Sequence, residues 1–161
     1  MTVPETLDAL HRRAGNLAIR LADAFRPRLS LGVRLVALDK AGGVFLVRHS
    51  YLPGLHLPGG GVDADETCRE AAVREAREEG GLVFDAEPEL FHIYHSAAEG
   101  RRGHVVLFVA RGARQARPVR PGLEIVAARF HPLATLPPDL TPATRSRIAE
   151  VLAGKPAGDA W

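Results

Sequence analysis

"LPGGGVDADETCREAAVREAREEGGL", from Leu57 to Leu82, is the stretch that decides how this chain is read. It opens on a glycine-rich turn. Thr67, followed three residues later by Glu70, makes a capping box and predicts a helix start. Roughly a dozen residues on, Gly80 and Gly81 supply a favoured helix C-terminus. The helix between them crowds Glu75, Glu78 and Glu79 into its last two turns. Residues three and four apart are neighbours on a helix, so these carboxylates project from one side. Glu75 and Glu79 are like charges at i,i+4, which costs about 0.2–0.5 kcal/mol. All three also sit toward the negative end of the helix macrodipole. A helix arranged only for stability would place its acids at the opposite end.

Two readings compete for this pattern. One is a solvated face relieved by Arg74 and Arg77. The other is a cation site, and the inversion of the dipole preference favours it. Clustered carboxylates are hard oxygen ligands that suit Mg²⁺, with Mn²⁺ as a substitute. Such a site beside a glycine-rich loop and near an arginine-rich segment suits phosphate-ester or diphosphate chemistry.

The rest of the chain bounds that reading. At 161 residues it fits one domain able to bury a core without disulfides or structural metals. With 46% hydrophobic and 25% charged residues, it is neither disordered nor fibrous in composition. The single cysteine, Cys68, excludes an internal disulfide framework and makes a reducing cytoplasm the default compartment. Cys68 itself reads as a small helix-packing residue rather than a reactive thiol. The apolar runs "GVFLV" and "HVVLFVA" fall well short of the roughly 20 residues a membrane span needs, so the expectation is a soluble protein. Glu5 and Asp8 fit neither a secretory signal nor an acid-poor transit peptide. Formal net charge is only +2. Even so, residues 100–122 carry Arg101, Arg102, Arg111, Arg114, Arg117 and Arg120 with no acidic residue, which points to an anionic substrate or partner. A solvated loop is the competing reading.

Leu7, Leu10, Ala14, Leu17, Leu21 and Phe25 recur at helical spacing. They predict an amphipathic helix within residues 1–30, packed on the domain rather than lying on a membrane. "LGVRLVALD" and "GVFLVRHS" read as antiparallel strands joined by a tight turn. "YLPGLHLPGGG" reads as a loop. "ELFHIYHS", "HVVLFVAR" and "LEIVAARFHP" read as further strands, and Thr141 with Pro142 starts a last helix. Residues 31–161 therefore make one α/β domain with helices packed on the faces of its sheet.

At the level of spacing, the opening stretch closely resembles the Nudix box, G-x5-E-x7-R-E-U-x-E-E-x-G-U, where U is bulky and apolar. Gly60, Glu66, Arg74, Glu75, Glu78, Glu79, Gly81 and Leu82 match every fixed position, and only Ala76 is small for its place. The strand before the box and "LEIVAARFHPLATLP" after it also look like the family's flanks.

This resemblance implies a Nudix-type α/β/α sandwich with a mixed sheet, plus the extra N-terminal helix. The implied activity is hydrolysis of a nucleoside diphosphate linked to another moiety. Glu75, Glu78, Glu79 and the Gly59 carbonyl would hold the metal, and Arg74 would orient a glutamate. Gly60, Gly61 and Glu66 would shape the turn. Glu75 is the first candidate for the general base and Glu124 the second, with an exposed strand residue as the competing reading of Glu124. Arg48 is either a phosphate contact or an ordinary surface arginine. His56 stands where many relatives carry an aromatic residue, often Trp, and either packs there or contacts a ligand.

No sub-family marker for a coenzyme-A-type, NADH-type or ADP-ribose-type substrate is present. The expected partner is thus a nucleotide-derived small molecule of unspecified identity, with neither membrane nor nucleic acid favoured. Homodimers are common in the resembling family. The rival readings are a house-cleaning nucleoside triphosphate pyrophosphohydrolase, an isomerase on the same fold, and a non-catalytic module that senses a nucleotide or binds nucleic acid.

Overall fold

Apolar residues alternate along the central strands, and each alternate set faces a different layer. On β1 (Ser30–Leu38), Val33, Leu35 and Ala37 join one core cluster, whereas Val36 and Leu38 join another. On β2 (Gly43–His49), Phe45 and Val47 face the first layer, and Val44 and Leu46 the second. A strand presents successive side chains to opposite faces, so a strand apolar at every position must be covered on both. Helix α1 (Cys68–Gly80) covers one face through Ala71, Ala72 and Ala76. Helix α2 (Pro142–Ala153) covers the other through Ile148 and Val151. The result is the expected α/β/α sandwich. It comes from a computed structural model that describes residues 30–97 and 103–161. The helix expected within residues 1–30 lies outside the described residues, as do Arg101 and Arg102.

Three further strands complete the main sheet: β4 (Glu89–Ser96), β5 (Gly103–Arg111) and β7 (Ile125–Pro132). The order is β4-β5-β1-β2-β7, with β1 and β5 parallel and the other neighbouring pairs antiparallel, so the sheet is mixed. Two-residue strands β3 (Leu82–Val83) and β6 (Arg114–Gln115) form a small second sheet. On the α2 side, the buried Tyr94 hydroxyl donates to Glu150 Oε2 at 2.5 Å, tying β4 to the helix. No helix among the described residues is long and apolar enough to cross a membrane.

Ala76, the small residue in the box, is fully buried. It belongs to an alanine face that lets α1 lie close to the sheet. Gly80 continues that face, for a Cβ there would stand 2.5 Å from Phe45 Cε1. A bulky residue at either place would push the helix, and its glutamates, away from the strands.

The β1–β2 pair departs from a simple hairpin. Its turn is held by Asp39, whose Oδ1 accepts from the Ala41 and Gly43 amides at 2.9 and 2.7 Å. Leu38 and Val44 are then in register, but the strands part and the segment expected to be a loop enters between them. Val33 N donates to Gly60 O at 2.9 Å and Leu35 N to Pro58 O at 3.0 Å. On the other side, Val47 and His56 exchange amide–carbonyl bonds, both at 2.9 Å. The glycine-rich segment is therefore a wedge inside the sheet, and the gap it fills is where the start of the box meets the strands.

Candidate metal and phosphate site

Both ends of α1 are capped as its sequence requires. The Thr67 side chain accepts from Glu70 N at 3.2 Å, Glu70 Oε2 accepts from Thr67 N at 2.8 Å, and Gly81 closes the helix at φ 61°. These caps fix the helix phase, and the phase decides what each glutamate faces.

Arg74 is the hub. Its Nε and Nη2 donate to the two oxygens of Glu66 at 3.1 and 2.6 Å, and Nη2 also reaches the Gly61 carbonyl at 3.1 Å. Two-point guanidinium–carboxylate pairing fixes orientation as well as charge, so the loop is clamped to the helix. Arg74 holds the Glu66 carboxyl below its usual range, helped by the Asp63 amide. The remaining Nη1 donates to Glu75 Oε1 at 2.8 Å and lies 3.5 Å from Glu78 Oε2. A Cβ on Gly60 would stand 2.3 Å from Glu75 Oε1, so that glycine leaves the space this carboxylate occupies.

Glu79 differs from its neighbours. Its side chain is 8% exposed against 61% for Glu78, although both stand in the same helical turn. Gly59 N donates to Glu79 Oε2 at 2.8 Å, and His49 Nε2 lies 3.6 Å from Oε1. Burial pushes the Glu79 carboxyl up to about 7; the Gly59 amide and Arg34 oppose the shift, while Glu75 and Glu124 add to it. The His49 imidazole is held low, first by burial and then by His56 and Arg34, so the contact with Glu79 involves a ring biased toward neutrality.

Glu124 is brought to this side. Its carbonyl accepts from Ser50 N at 2.9 Å, its Oε1 accepts from the Tyr51 hydroxyl at 3.0 Å, and its charge acts on both Glu79 and His49. His56 Nε2 lies 2.9 Å from Pro53 O, and its ring stands edge-on to His49 at 5.5 Å. It thus fills the place by packing and a local polar contact. Arg48 is not brought to the glutamates: it pairs with Asp139 and lines a cavity with Leu46 and Leu55 on the α2 side of the sheet. Arg117 and Arg120 line one surface cavity with Arg77 and Glu78, whereas Arg114 pairs with Asp85 at 3.1 Å. Cys68 packs against the α1-side core.

The NUDIX domain model matches residues 28–152 of the chain. The chain belongs to the NUDIX family. Among curated relatives it is 31% identical over 109 residues to an ADP-ribose pyrophosphatase of Methanocaldococcus jannaschii, covering 64% of each chain. It is 43% identical over 61 residues to an RNA pyrophosphohydrolase of Xanthomonas campestris pv. campestris, covering 38% of this chain and 28% of the relative. It therefore spans less than two thirds of either relative's length. Among solved structures, a MutT NUDIX hydrolase from Burkholderia pseudomallei superposes with a TM-score of 0.65 at 27% identity, over 77% of this chain and 98% of that one.

The residues of this NUDIX site suit a hard divalent cation in type, since the donors are carboxylate oxygens on one helix end. A buried Glu79 with two further carboxylates acting on it is an arrangement that positive charge would relieve. Among the described residues, however, no three His, Cys, Asp or Glu side chains converge in metal-holding geometry. Arg74 accounts for part of this by engaging Glu75 and Glu78.

Three residues of the site went unnoticed at the level of motifs: Arg34, His49 and Tyr51. Arg34 carried a signal, being the one charge in the apolar run "LGVRLVAL". His49 and Tyr51 carried none, because their roles depend on contacts with Glu79 and Glu124, which are distant in sequence.

Proposed function

We propose that this NUDIX protein is a divalent-metal-dependent hydrolase that cleaves the diphosphate linkage of a nucleotide derivative by attack of water on phosphorus. The observation that carries the reading is the Glu79 carboxylate. It is buried at the end of α1, aligned by the Gly59 amide, and set beside Glu75 across a glycine that makes room for it. A carboxylate buried with two like charges acting on it is costly in a purely structural role.

Glu75, Glu78, Glu79 and the Gly59 carbonyl are the groups that would hold Mg²⁺, or Mn²⁺ in its place. The cation when bound supplies neutralisation of diphosphate charge and a water of lowered pKa. The chain's own part is positioning. Arg74 holds Glu75 and, through Glu66, the loop; Gly59 holds Glu79; Tyr51 holds Glu124. Glu75 or Glu124 takes the proton from the attacking water. Arg77, Arg117 and Arg120 beside Glu78 form a positive rim that would raise the local concentration of an anionic substrate.

The assignment of the base is settled by two variants. If Glu124 is the base, E124Q lowers kcat by about 10²–10⁴-fold, the usual range for general-base catalysis, and leaves Mn²⁺ affinity unchanged. If Glu75 is the base as well as a ligand, E75Q lowers both, and E124Q changes kcat little.

The relatives supply the first substrates to test, ADP-ribose and RNA. Nucleoside diphosphate sugars, dinucleoside polyphosphates, NAD-like compounds and nucleoside triphosphates complete the panel, assayed with Mg²⁺ or Mn²⁺. The expected result is release of a nucleoside monophosphate or pyrophosphate from at least one of them, abolished by EDTA. Binding without turnover of any compound would instead support a nucleotide sensor, and affinity for RNA that falls steeply with salt would support a nucleic-acid-binding module.

A further inference from the structure

Arg34 stands on the middle of β1, where the wedge segment runs alongside it. The bonds from Val33 N to Gly60 O and from Leu35 N to Pro58 O place Arg34 opposite Gly59. The approach is close, for a Cβ on Gly59 would lie 2.9 Å from Arg34 Cα. The same Gly59 donates its N–H to Glu79. One glycine thus joins the strand carrying Arg34 to the carboxylate at the end of α1. The Glu79, Glu75 and Tyr51 groups all act on the guanidinium electrostatically.

Despite these neighbours, Arg34 Nη1 is buried with no hydrogen-bond partner among the described residues. A guanidinium donor removed from water and left unmade is costly, and native interiors rarely tolerate one without a reason. A carboxylate could have satisfied it, as Glu66 satisfies Arg74, but Glu79 is committed to Gly59 instead. His49 Nδ1, on a ring that Arg34 influences, is likewise buried without a partner among the described residues. Of the two nitrogens, Arg34 Nη1 is the fixed donor, and what it lacks is an acceptor, which an oxygen of a phosphate would supply.

We infer that Arg34 is a substrate-binding residue whose Nη1–H group donates to a non-bridging oxygen of the substrate diphosphate, on the strand side of the glutamates. The inference rests on the diphosphate reading given above. A planar fork of donors suits phosphate oxygens better than the single ammonium of lysine does. The rival role is structural, with the guanidinium serving only to balance the buried Glu79 charge. The two roles separate in measurement, because a phosphate contact acts on ligand affinity whereas a charge balance acts on cation affinity.

The test uses the full chain with α,β-methylene-ADP as a non-hydrolysable nucleoside diphosphate, titrated calorimetrically in the presence of Mg²⁺. Mn²⁺ binding is measured separately by electron paramagnetic resonance. Arg34→Gln is expected to weaken α,β-methylene-ADP binding about 10- to 100-fold, the range for a charge-assisted hydrogen bond, with Mn²⁺ affinity within twofold of wild type. Arg34→Lys is expected to restore part of the loss, since it keeps the charge but not the fork, and it guards against misreading a folding defect in the glutamine variant. Unchanged α,β-methylene-ADP affinity in a folded Arg34→Gln protein would overturn the inference, as would a shift confined to Mn²⁺ affinity. Wild-type protein that binds Mn²⁺ but no α,β-methylene-ADP would overturn the diphosphate reading along with it, a result distinct from failure of the variant alone.

Discussion

Glu79→Gln is expected to lower turnover of the best substrate by about 10²–10³-fold, the scale lost when one electrostatic group is removed from a water-excluded site. It should do so without unfolding the protein. Glutamine keeps an oxygen that can accept the Gly59 N–H bond, now 2.8 Å long, and is nearly isosteric with glutamate. Stability should move the other way from activity. The carboxylate is buried, with Glu75 and Glu124 adding like charge around it, and a neutral amide escapes that desolvation cost. Metal-free E79Q should therefore melt at or above the wild-type temperature. Adding Mg²⁺ should reverse the order, because a ligand bound only by the folded state stabilises by about 2.7 kcal/mol at a hundredfold excess over Kd. Differential scanning calorimetry with and without Mg²⁺, run beside the activity assay, reads both effects. Wild-type turnover in E79Q would remove Glu79 from the site.

Gly59→Ala, one residue before the box, should cost far more stability than a methyl added at Gly61. At φ 141° the residue occupies backbone space that side chains rarely adopt, and a Cβ there would stand 2.1 Å from the Val33 carbonyl oxygen. The clash is with the β1 backbone and cannot be relieved by a rotamer change. Either the wedge leaves β1, breaking the bonds from Val33 and Leu35 to Gly60 and Pro58, or the strands part further. A cost of about 3 kcal/mol is expected for combined strain and lost bonding, or a fall of about 10 °C in Tm for a domain of this size. Gly61→Ala is the control, since nothing among the described residues lies within 4 Å of its added Cβ, and it should stay within about 0.5 kcal/mol of wild type. Equal melting temperatures for the two variants would show that the wedge does not depend on contact with β1.

Several parts of this arrangement were legible before any coordinates. Thr67, Glu70 and Gly81 bound α1 because caps act within a few residues of the chain. The strands at residues 30–38, 43–49, 89–96, 103–111 and 125–132 announced themselves by apolar composition. β3 and β6 did not, as two residues each carry no periodicity to read. The wedge read only as a loop because glycine and proline mark irregular backbone without saying where it goes. Arg48, at the end of a strand aimed toward the site, was drawn off by Asp139, a residue 91 positions away.

The glutamates show the division most clearly. Spacing alone places Glu75, Glu78 and Glu79 on one side of a helix that ends at glycine, and their charges oppose its dipole. That much is a local property, since the helix period and its caps are set by neighbours in sequence. What each carboxylate meets is not local. Glu79 is buried because Gly59, twenty residues earlier, is folded against β1 and turns its N–H toward it; Glu75 finds space because Gly60 has no side chain; and Glu78, in the same turn, stays exposed. Burial and charge environment depend on which distant segments pack against the helix end, so the chain's pattern determined which carboxylates share one side of the helix, whereas the tertiary structure decided which of them is desolvated and that the strand residue Arg34 feels its charge.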